Sequence, residues 1–407
     1  MDYKYIRRVL DSKIKSSLKK NRAICLYGPK GCGKCTSMKR IVKNVADFSQ
    51  VDQRNKLILE ANMSPDLFLS SPETPLLINE YKYIPLIIKH VNNETILTSS
   101  SKTDILVAND IYTLYTRPLS LFETKDSNGS VSIHDLKDNI FSETYSELNI
   151  KDYAKLICHG GWPFLINKDN PLTLQEYYDN LISNEVYSLD NYKINKNPSK
   201  ANKVLKAYSK NISKTSSEQI MLEDCVSDGV SFDKETFYKY LNAYRDLFII
   251  EELPAWIPAL KNKTVIRNKP ARYLVDPSLS ALALNITERS ISKDISIFES
   301  LFKSLAIRDL RTYCDVLDAK VYKYRDAQKR ETDAVIVFSD NSYALVDITL
   351  GDNNEIERLA DILKDISKDI NNKLTGKQRF NLIITKEQKA YKRQDGIYVV
   401  PLGCLRN

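Results

Sequence analysis

The apolar run Ala23-Ile24-Cys25-Leu26-Tyr27, followed by Gly28-Pro29-Lys30-Gly31-Cys32-Gly33-Lys34-Cys35-Thr36, constrains this 407-residue chain more than any other segment. The chain has only 11 glycines, under half the usual ~7%, and three of them fall within these nine residues. A buried strand that enters a glycine turn and leaves as a helix is the context in which G-x-x-x-x-G-K-[ST] binds phosphate. The glycines let backbone amides turn inward, the helix offers its positive end, and Lys34 reaches the β- and γ-phosphates. ATP with Mg²⁺ is the expected cofactor pair, and Gly28 to Thr36 are the expected cofactor-binding residues.

The last position departs from the motif. Cys35 stands where a hydroxyl would contact Mg²⁺, and a neutral thiol is a poor ligand for a hard cation. Thr36 is adjacent but turned by about 100° on a helix. Cys32 and Cys35 also form a CxxC, which leaves a minor redox alternative open. Downstream, Leu76-Leu77-Ile78-Asn79-Glu80 reads as an apolar strand ending in Asn-Glu where Asp-Glu would serve an ATPase. Asn79 can hydrogen-bond a metal-bound water without adding charge, which makes it a weak metal-side residue, and Glu80 sits where a water-activating base belongs. Thr95-Ile96-Leu97-Thr98-Ser99-Ser100-Ser101 reads as a third strand, with Thr98 and Ser99 as γ-phosphate sensors.

Strands at Pro75–Ile78 and Thr95–Leu97, a further one expected at Lys56–Glu60, and helices between them predict a parallel sheet covered on both faces. Tyr3, Ile6, Leu10, Ile14 and Leu18 give an amphipathic helix, and helical pattern is expected from Lys34 to about Phe48. Residues 1–150 form the expected nucleotide-binding domain. Residues 151–260 are helical, with Ser231–Ile250 as a helix capped by Ser231 or Asp233 and Ile249–Leu253 as a strand, a winged-helix-like pattern. Residues 261–407 read as α+β: a helix at Ile295–Tyr313, then strands at Lys320–Tyr324, Thr332–Val337, Tyr343–Ile348, Phe380–Ile384 and Gly396–Val400. The fold class is therefore α/β for the first part and α+β for the last, with no internal repeat.

Charge is unevenly spread. The net charge is +8, yet residues 1–40 carry twelve basic and two acidic side chains, so that segment is +10 and the remainder −2. DNA or a protein partner is a possible occupant of that basic face, with Lys13, Lys15, Lys19 and Lys20 its candidate residues. Seven cysteines argue against a disulfide scaffold. No apolar run reaches ~18 residues, and the charged amino-terminal segment lacks a signal-peptide core, so a cytoplasmic location without a membrane partner is expected. The three histidines, His90, His134 and His159, have no metal-ligand spacing, and Trp162 and Trp256 sit in core-like apolar contexts.

On these segments the chain resembles the bacterial and archaeal AAA-type ATPases that end in a DUF-type domain with a nuclease-like fold. Gly28–Thr36, PLLINEYKYIP (Pro75–Pro85), ILTSSS (Ile96–Ser101) and RPLSLFETKDSNGSVS (Arg117–Ser132) carry the resemblance. Gly160–Pro163, LPAW (Leu253–Trp256), YLVDPSL (Tyr273–Leu279) and DGIYVVP (Asp395–Pro401) extend it collinearly over nearly the whole chain. It implies that Lys34 is the phosphate-binding lysine and Glu80 the catalytic glutamate, with Asn79 beside it. Asn109-Asp110 stand where the family has Gly-Arg, which replaces a positive charge by a negative one. The carboxy-terminal part resembles a PD-(D/E)XK nuclease fold, whose acids hold Mg²⁺ and orient water. There Asp333 is the family's aspartate, Asp347 opens the acid-x-Lys, Thr349 replaces its lysine, and Lys303 replaces the helix acid, with Glu299 one turn earlier. Changes at Cys35, Asn79, Lys303 and Thr349 imply a nucleotide-binding protein with weak or lost hydrolysis and an inactive nuclease-like domain. An active ATPase with altered metal-side ligands, and a nucleic-acid or protein binding module that keeps the fold as scaffold, are the alternatives.

Overall fold

The computed structural model describes residues 5–20, 23–70, 75–102, 111–166, 172–189, 191–226, 232–261 and 266–407. The first part is a five-stranded, all-parallel sheet of β1 (Ile24–Tyr27), β2 (Asn44–Asp47), β3 (Leu76–Asn79), β4 (Thr95–Ser99) and β5 (Tyr112–Tyr115), in the order β2-β3-β4-β1-β5. The strand that enters the glycine loop, β1, lies between β4 and β5. Side chains alternate between its faces. Cys25, Ala46, Ile78 and Leu97 pack beneath the helices Val51–Met63 and Pro65–Leu69. Ile24, Leu26, Leu77, Ile96 and Leu114 face Leu10 and Ile14 of the amino-terminal segment and Met38 after the loop. Ile24, Leu26 and Leu77 are fully buried, each contributing about 1.5–3 kcal/mol, so these runs cannot be read as surface strands.

Two local expectations are corrected. The helix after the loop spans only Lys34–Lys39, and Asn44–Asp47 inside the expected helix is β2. Val45 and Ala46 point to opposite faces of the sheet, a period-2 arrangement that pairing with β3 enforces over local helix propensity. The expected strand Lys56–Glu60 lies within the helix Val51–Met63, where Leu57, Ile58 and Ala61 lean on one core at helical spacing.

The chain next adds two short strands, β6 (Val131–Ser132) and β7 (Thr144–Tyr145), then helices Ile150–His159, Leu174–Ser183, Pro198–Lys210, Glu218–Val226 and Lys234–Asp246. Asp233 caps the last of these, its side chain accepting from Thr236 N at 2.7 Å; Ser231 lies outside the described residues. Where a strand Ile249–Leu253 was expected there are isolated antiparallel bridges, Ile250 to Leu274 and Leu253 to Ala271. Trp162 is fully buried with its ring 4.6 Å from Tyr177, and Trp256 packs 4.9 Å from Tyr343, so both are core residues.

The long helix Ile295–Val316, capped by Asp294, precedes β8 (Lys320–Arg325), β9 (Glu331–Val337), β10 (Tyr343–Thr349), β11 (Gln378–Thr385), β12 (Lys389–Lys392), β13 (Tyr398–Pro401) and β14 (Leu405–Arg406). The second sheet is mixed, in the order β7-β12-β13-β11-β10-β9-β8, with β10, β11 and β13 parallel. Ala334, Ile336, Val346 and Leu382 join the long helix in one core. Val335, Leu345 and Ile383 face Ile356, Leu359 and Leu363 of the helix Asn353–Asp369. Although β6 and β7 precede residue 150, they pair with β14 and β12, which fastens this segment to the carboxy-terminal sheet.

Candidate functional site

All three loop glycines hold positive φ, at 153° for Gly28, 81° for Gly31 and 94° for Gly33. A Cβ at Gly28 would lie 2.0 Å from the Thr116 carbonyl oxygen, so the loop cannot carry a side chain there. Lys34 is buried, and its ammonium donates to the carbonyls of Gly28 at 2.8 Å and Pro29 at 2.9 Å. The loop thus closes on its own lysine, which is positioned to exchange those carbonyls for phosphate oxygens. Cys32 is fully buried and Cys35 partly so, both as free thiols. Burial is the largest influence on Cys35 and raises its pKa, which keeps the thiol protonated where the motif has a hydroxyl. Thr36 is exposed.

The loop is held from outside by residues that sequence reasoning did not single out. Arg8 is buried and donates to the Cys32 carbonyl at 2.9 Å, the Arg117 carbonyl at 2.8 Å and Glu123 Oε1 at 2.8 Å. Glu123 forms a capping box with Ser120, so the RPLSLFE segment joins the loop to its surroundings. Arg117 itself is engaged by Glu251 and Asp315, and is not free to reach phosphate. Gly31 packs against Phe164, Lys30 pairs with Glu185 at 2.5 Å, and Tyr177 donates to the Lys30 carbonyl at 3.0 Å. No local pattern would have found Arg8.

At the carboxyl ends of β2, β3 and β4 the side chains form a connected row. Asn79 donates through Nδ2 to Asp47 Oδ1 at 2.6 Å and accepts through Oδ1 from Thr98 at 2.6 Å. Asp47 also faces Lys39 at 3.2 Å. Burial opposes ionisation of Asp47, but donors from Ser49, Asn79 and Lys39 outweigh it and hold its pKa below the usual carboxylate range. Glu80 adopts a left-handed backbone conformation (φ 60°), with its amide donating to Thr98 at 3.2 Å. Its Oε2 accepts from Ser100 Oγ at 2.7 Å and lies 3.6 Å from Lys82. Of the two expected sensors, Thr98 therefore serves Asn79, while Ser99 turns away to the Ser101 carbonyl at 2.6 Å. Asp47, Ser100 and Lys82 complete the row and were missed, and Asn109 and Asp110 lie outside the described residues.

A second cluster unites most of the residues that the carboxy-terminal resemblance singled out. Lys303, on the long helix, places its ammonium 3.0 Å from Asp333 Oδ2 and 3.3 Å from Glu299. Lys323 of β8 approaches the other oxygen of Asp333 at 3.3 Å and is almost fully buried. Burial opposes the Asp333 charge, but the two lysines outweigh it and lower its pKa. Asp347 accepts from the Asp333 amide at 2.9 Å, while its buried Oδ2 has no hydrogen-bond partner among the described residues. Burial first, and then the neighbouring Asp333 charge, pushes Asp347 up to about 7. Thr349 turns its hydroxyl to the Gly351 amide at 2.8 Å and does not join the cluster. Among the described residues no group of three or more His, Cys, Asp or Glu side chains is disposed to hold a metal ion, and no helix is long and apolar enough to cross a membrane.

Residues 150–290 match DUF8612, a domain of unknown function, and residues 298–405 match DUF4143, also a domain of unknown function. No curated protein matches the chain. Among solved structures, the Walker-type ATPase paby2304 of Pyrococcus abyssi is similar at 13% identity and a TM-score of 0.40, over 68% of this chain and 94% of that one.

Proposed function

We propose that the chain binds nucleotides, with ATP as the representative ligand, at Gly28–Thr36, and that its hydrolysis is weak or lost. One observation carries this reading: three positive-φ glycines close around the Lys34 ammonium at the carboxyl edge of a parallel sheet. Ligands of open α/β sheets bind at that edge. In addition, the amides of Gly31 and Gly33 have no hydrogen-bond partner among the described residues. Hydrolysis suffers because Cys35 offers a protonated thiol, Asn79 brings no charge, and Glu80 is paired with Lys82. Residues 1–150 are the nucleotide-binding unit, 151–260 a helical, winged-helix-like unit and 261–407 a nuclease-like unit. This last unit is inactive, because Lys303 fills the acidic pocket where a divalent cation would act.

The test is thermal unfolding with ATP, followed by turnover. ATP at about a hundred times its Kd stabilises by about 2.7 kcal/mol, and Lys34→Met should abolish that shift. Turnover should rise at least about tenfold in the Cys35→Thr/Asn79→Asp variant. An absent shift in the wild type refutes nucleotide binding, and wild-type turnover of roughly 10 per second or more refutes impaired hydrolysis.

A nucleic-acid reading has one observation in its favour. Arg7, Lys15, Lys19 and Lys20 line a groove of about 510 Å³ with Asp11, Ser12 and Ser16. Lys13 belongs elsewhere, donating to the Asp315 carbonyl at 2.5 Å and pairing with Asp318. Duplex DNA binding that weakens steeply with salt, and again when Lys15, Lys19 and Lys20 are neutralised, would support it.

A further inference from the structure

The metal side of the phosphate loop is built for a different cation. Cys35 and Lys39 lie one turn apart on the helix Lys34–Lys39, and helical side chains lean toward the amino-terminal end. That lean directs the Lys39 side chain back along the helix face that carries Cys35. Its ammonium reaches Asp47 Oδ2 at 3.2 Å.

The surrounding donors do not suit Mg²⁺, which requires oxygen ligands in near-octahedral array. Cys35 is a thiol. The Asn79 carbonyl oxygen already accepts from Thr98 at 2.6 Å, and its amide nitrogen, a donor, faces Asp47 at 2.6 Å. Asp47 is the one carboxylate directly opposite Asn79 in the strand register, and it is matched by Lys39.

We propose that Lys39, paired with Asp47, which Asn79 holds in turn, takes the charge-neutralising place of a divalent cation, so that this site binds nucleoside triphosphates without a metal ion. The inference rests on the nucleotide-binding reading and names how that same site meets the charge of its ligand. Lys39 suits the role because its side chain is half exposed. It can leave Asp47 for a phosphate oxygen, while the carboxylate retains its donors from Asn79 and Ser49. Burial opposes the Lys39 charge, but Cys35 and Asp47 outweigh it and raise its pKa, so the ammonium stays protonated. With Lys34 it supplies two positive charges at the loop, one fewer than Lys34 with a bound Mg²⁺ would bring, and that one charge is what Lys39 contributes to the phosphates.

Isothermal titration of the full chain with ATP, in excess MgCl₂ and separately in excess EDTA, tests the proposal. The two wild-type Kd values should agree within about threefold. Lys39→Met should raise the EDTA value at least about tenfold, the scale of one charge-assisted contact, and Lys39→Arg should restore most of the loss. Tight binding in MgCl₂ that disappears in EDTA overturns the role of Lys39 and leaves nucleotide binding standing. Unchanged affinity in Lys39→Met overturns it equally. Failure to bind ATP under either condition overturns the nucleotide reading itself.

Discussion

Replacing Lys303 with methionine removes the ammonium from the carboxy-terminal acidic pocket while keeping most of its apolar stem. At 3.0 Å from Asp333, and with an effective dielectric constant of about 20, the direct attraction is about 5 kcal/mol. Taking both charges out of water offsets much of it. Lys323 remains 3.3 Å from the second Asp333 oxygen, so the carboxylate is not left bare, and the net loss falls to about 2–3 kcal/mol. Glu299 is about one-third exposed, and its share is no more than about 0.5 kcal/mol. Urea unfolding at about pH 8, followed by circular dichroism, reads the loss as a lower midpoint. Asp333→Asn and the double variant complete a cycle. If the ammonium neutralises Asp333, the double variant should be less destabilised than the sum of the singles by about 2 kcal/mol. Additivity within about 0.5 kcal/mol would refute the pairing, and with it the physical ground for calling this pocket closed to divalent cations.

Asp347→Asn should stabilise the protein at pH 8 by roughly 1–3 kcal/mol, and by little at pH 4. The sign follows from a folded-state pKa raised to about 7: between about pH 4 and 7 the folded chain binds the extra proton, so wild-type stability falls as pH rises through that window. Urea midpoints at several pH values check this, and parallel curves for the two proteins would count against it. Arg117→Lys should cost about 2–4 kcal/mol, because an ammonium cannot reproduce the guanidinium contacts to Glu251 and Asp315; the shift in thermal midpoint measures it. Gly28→Ala should yield little folded protein, since its methyl group would meet the Thr116 carbonyl oxygen at 2.0 Å; soluble expression beside wild type decides.

What the sequence made legible is what backbone and burial control. The strand Ile24–Tyr27, the positive-φ glycines, β3, β4 and the strands β8, β9, β10, β11 and β13 each carry a local signature of apolar period or obligatory glycine, whereas the short strands β7 and β12 were not expected. β2 was misread as helix because Met38 to Phe48 contain no glycine or proline to break the pattern, and only pairing with β3 makes residues 44–47 a strand. The site divides the same way. Lys34, Asn79, Glu80, Asp333 and Asp347 lie on motif spacings, whereas Arg8 meets Glu123 from 115 positions away and Asp47 meets Asn79 from 32. The meaning of a lysine is especially hidden, since it depends on what the ammonium faces after folding.

Lys39 and Lys303 bring this point to function. Each sits on a helix and directs its ammonium at an aspartate on a strand, at 3.2 Å and 3.0 Å; Lys39 stands one turn from Cys35, and Lys303 itself stands where the resemblance implies an acid. A cavity lined by ionised carboxylates cannot simply lose its cation, because uncompensated buried charge is expensive. A substitution that removes a metal ligand is therefore tolerated most easily when another positive group can enter, and a flexible lysine one helical turn away is the cheapest such group. On this argument each lysine offsets the charge of the aspartate it faces. Exchanging either lysine for a neutral residue should be tolerated better when the facing aspartate is neutralised in the same chain.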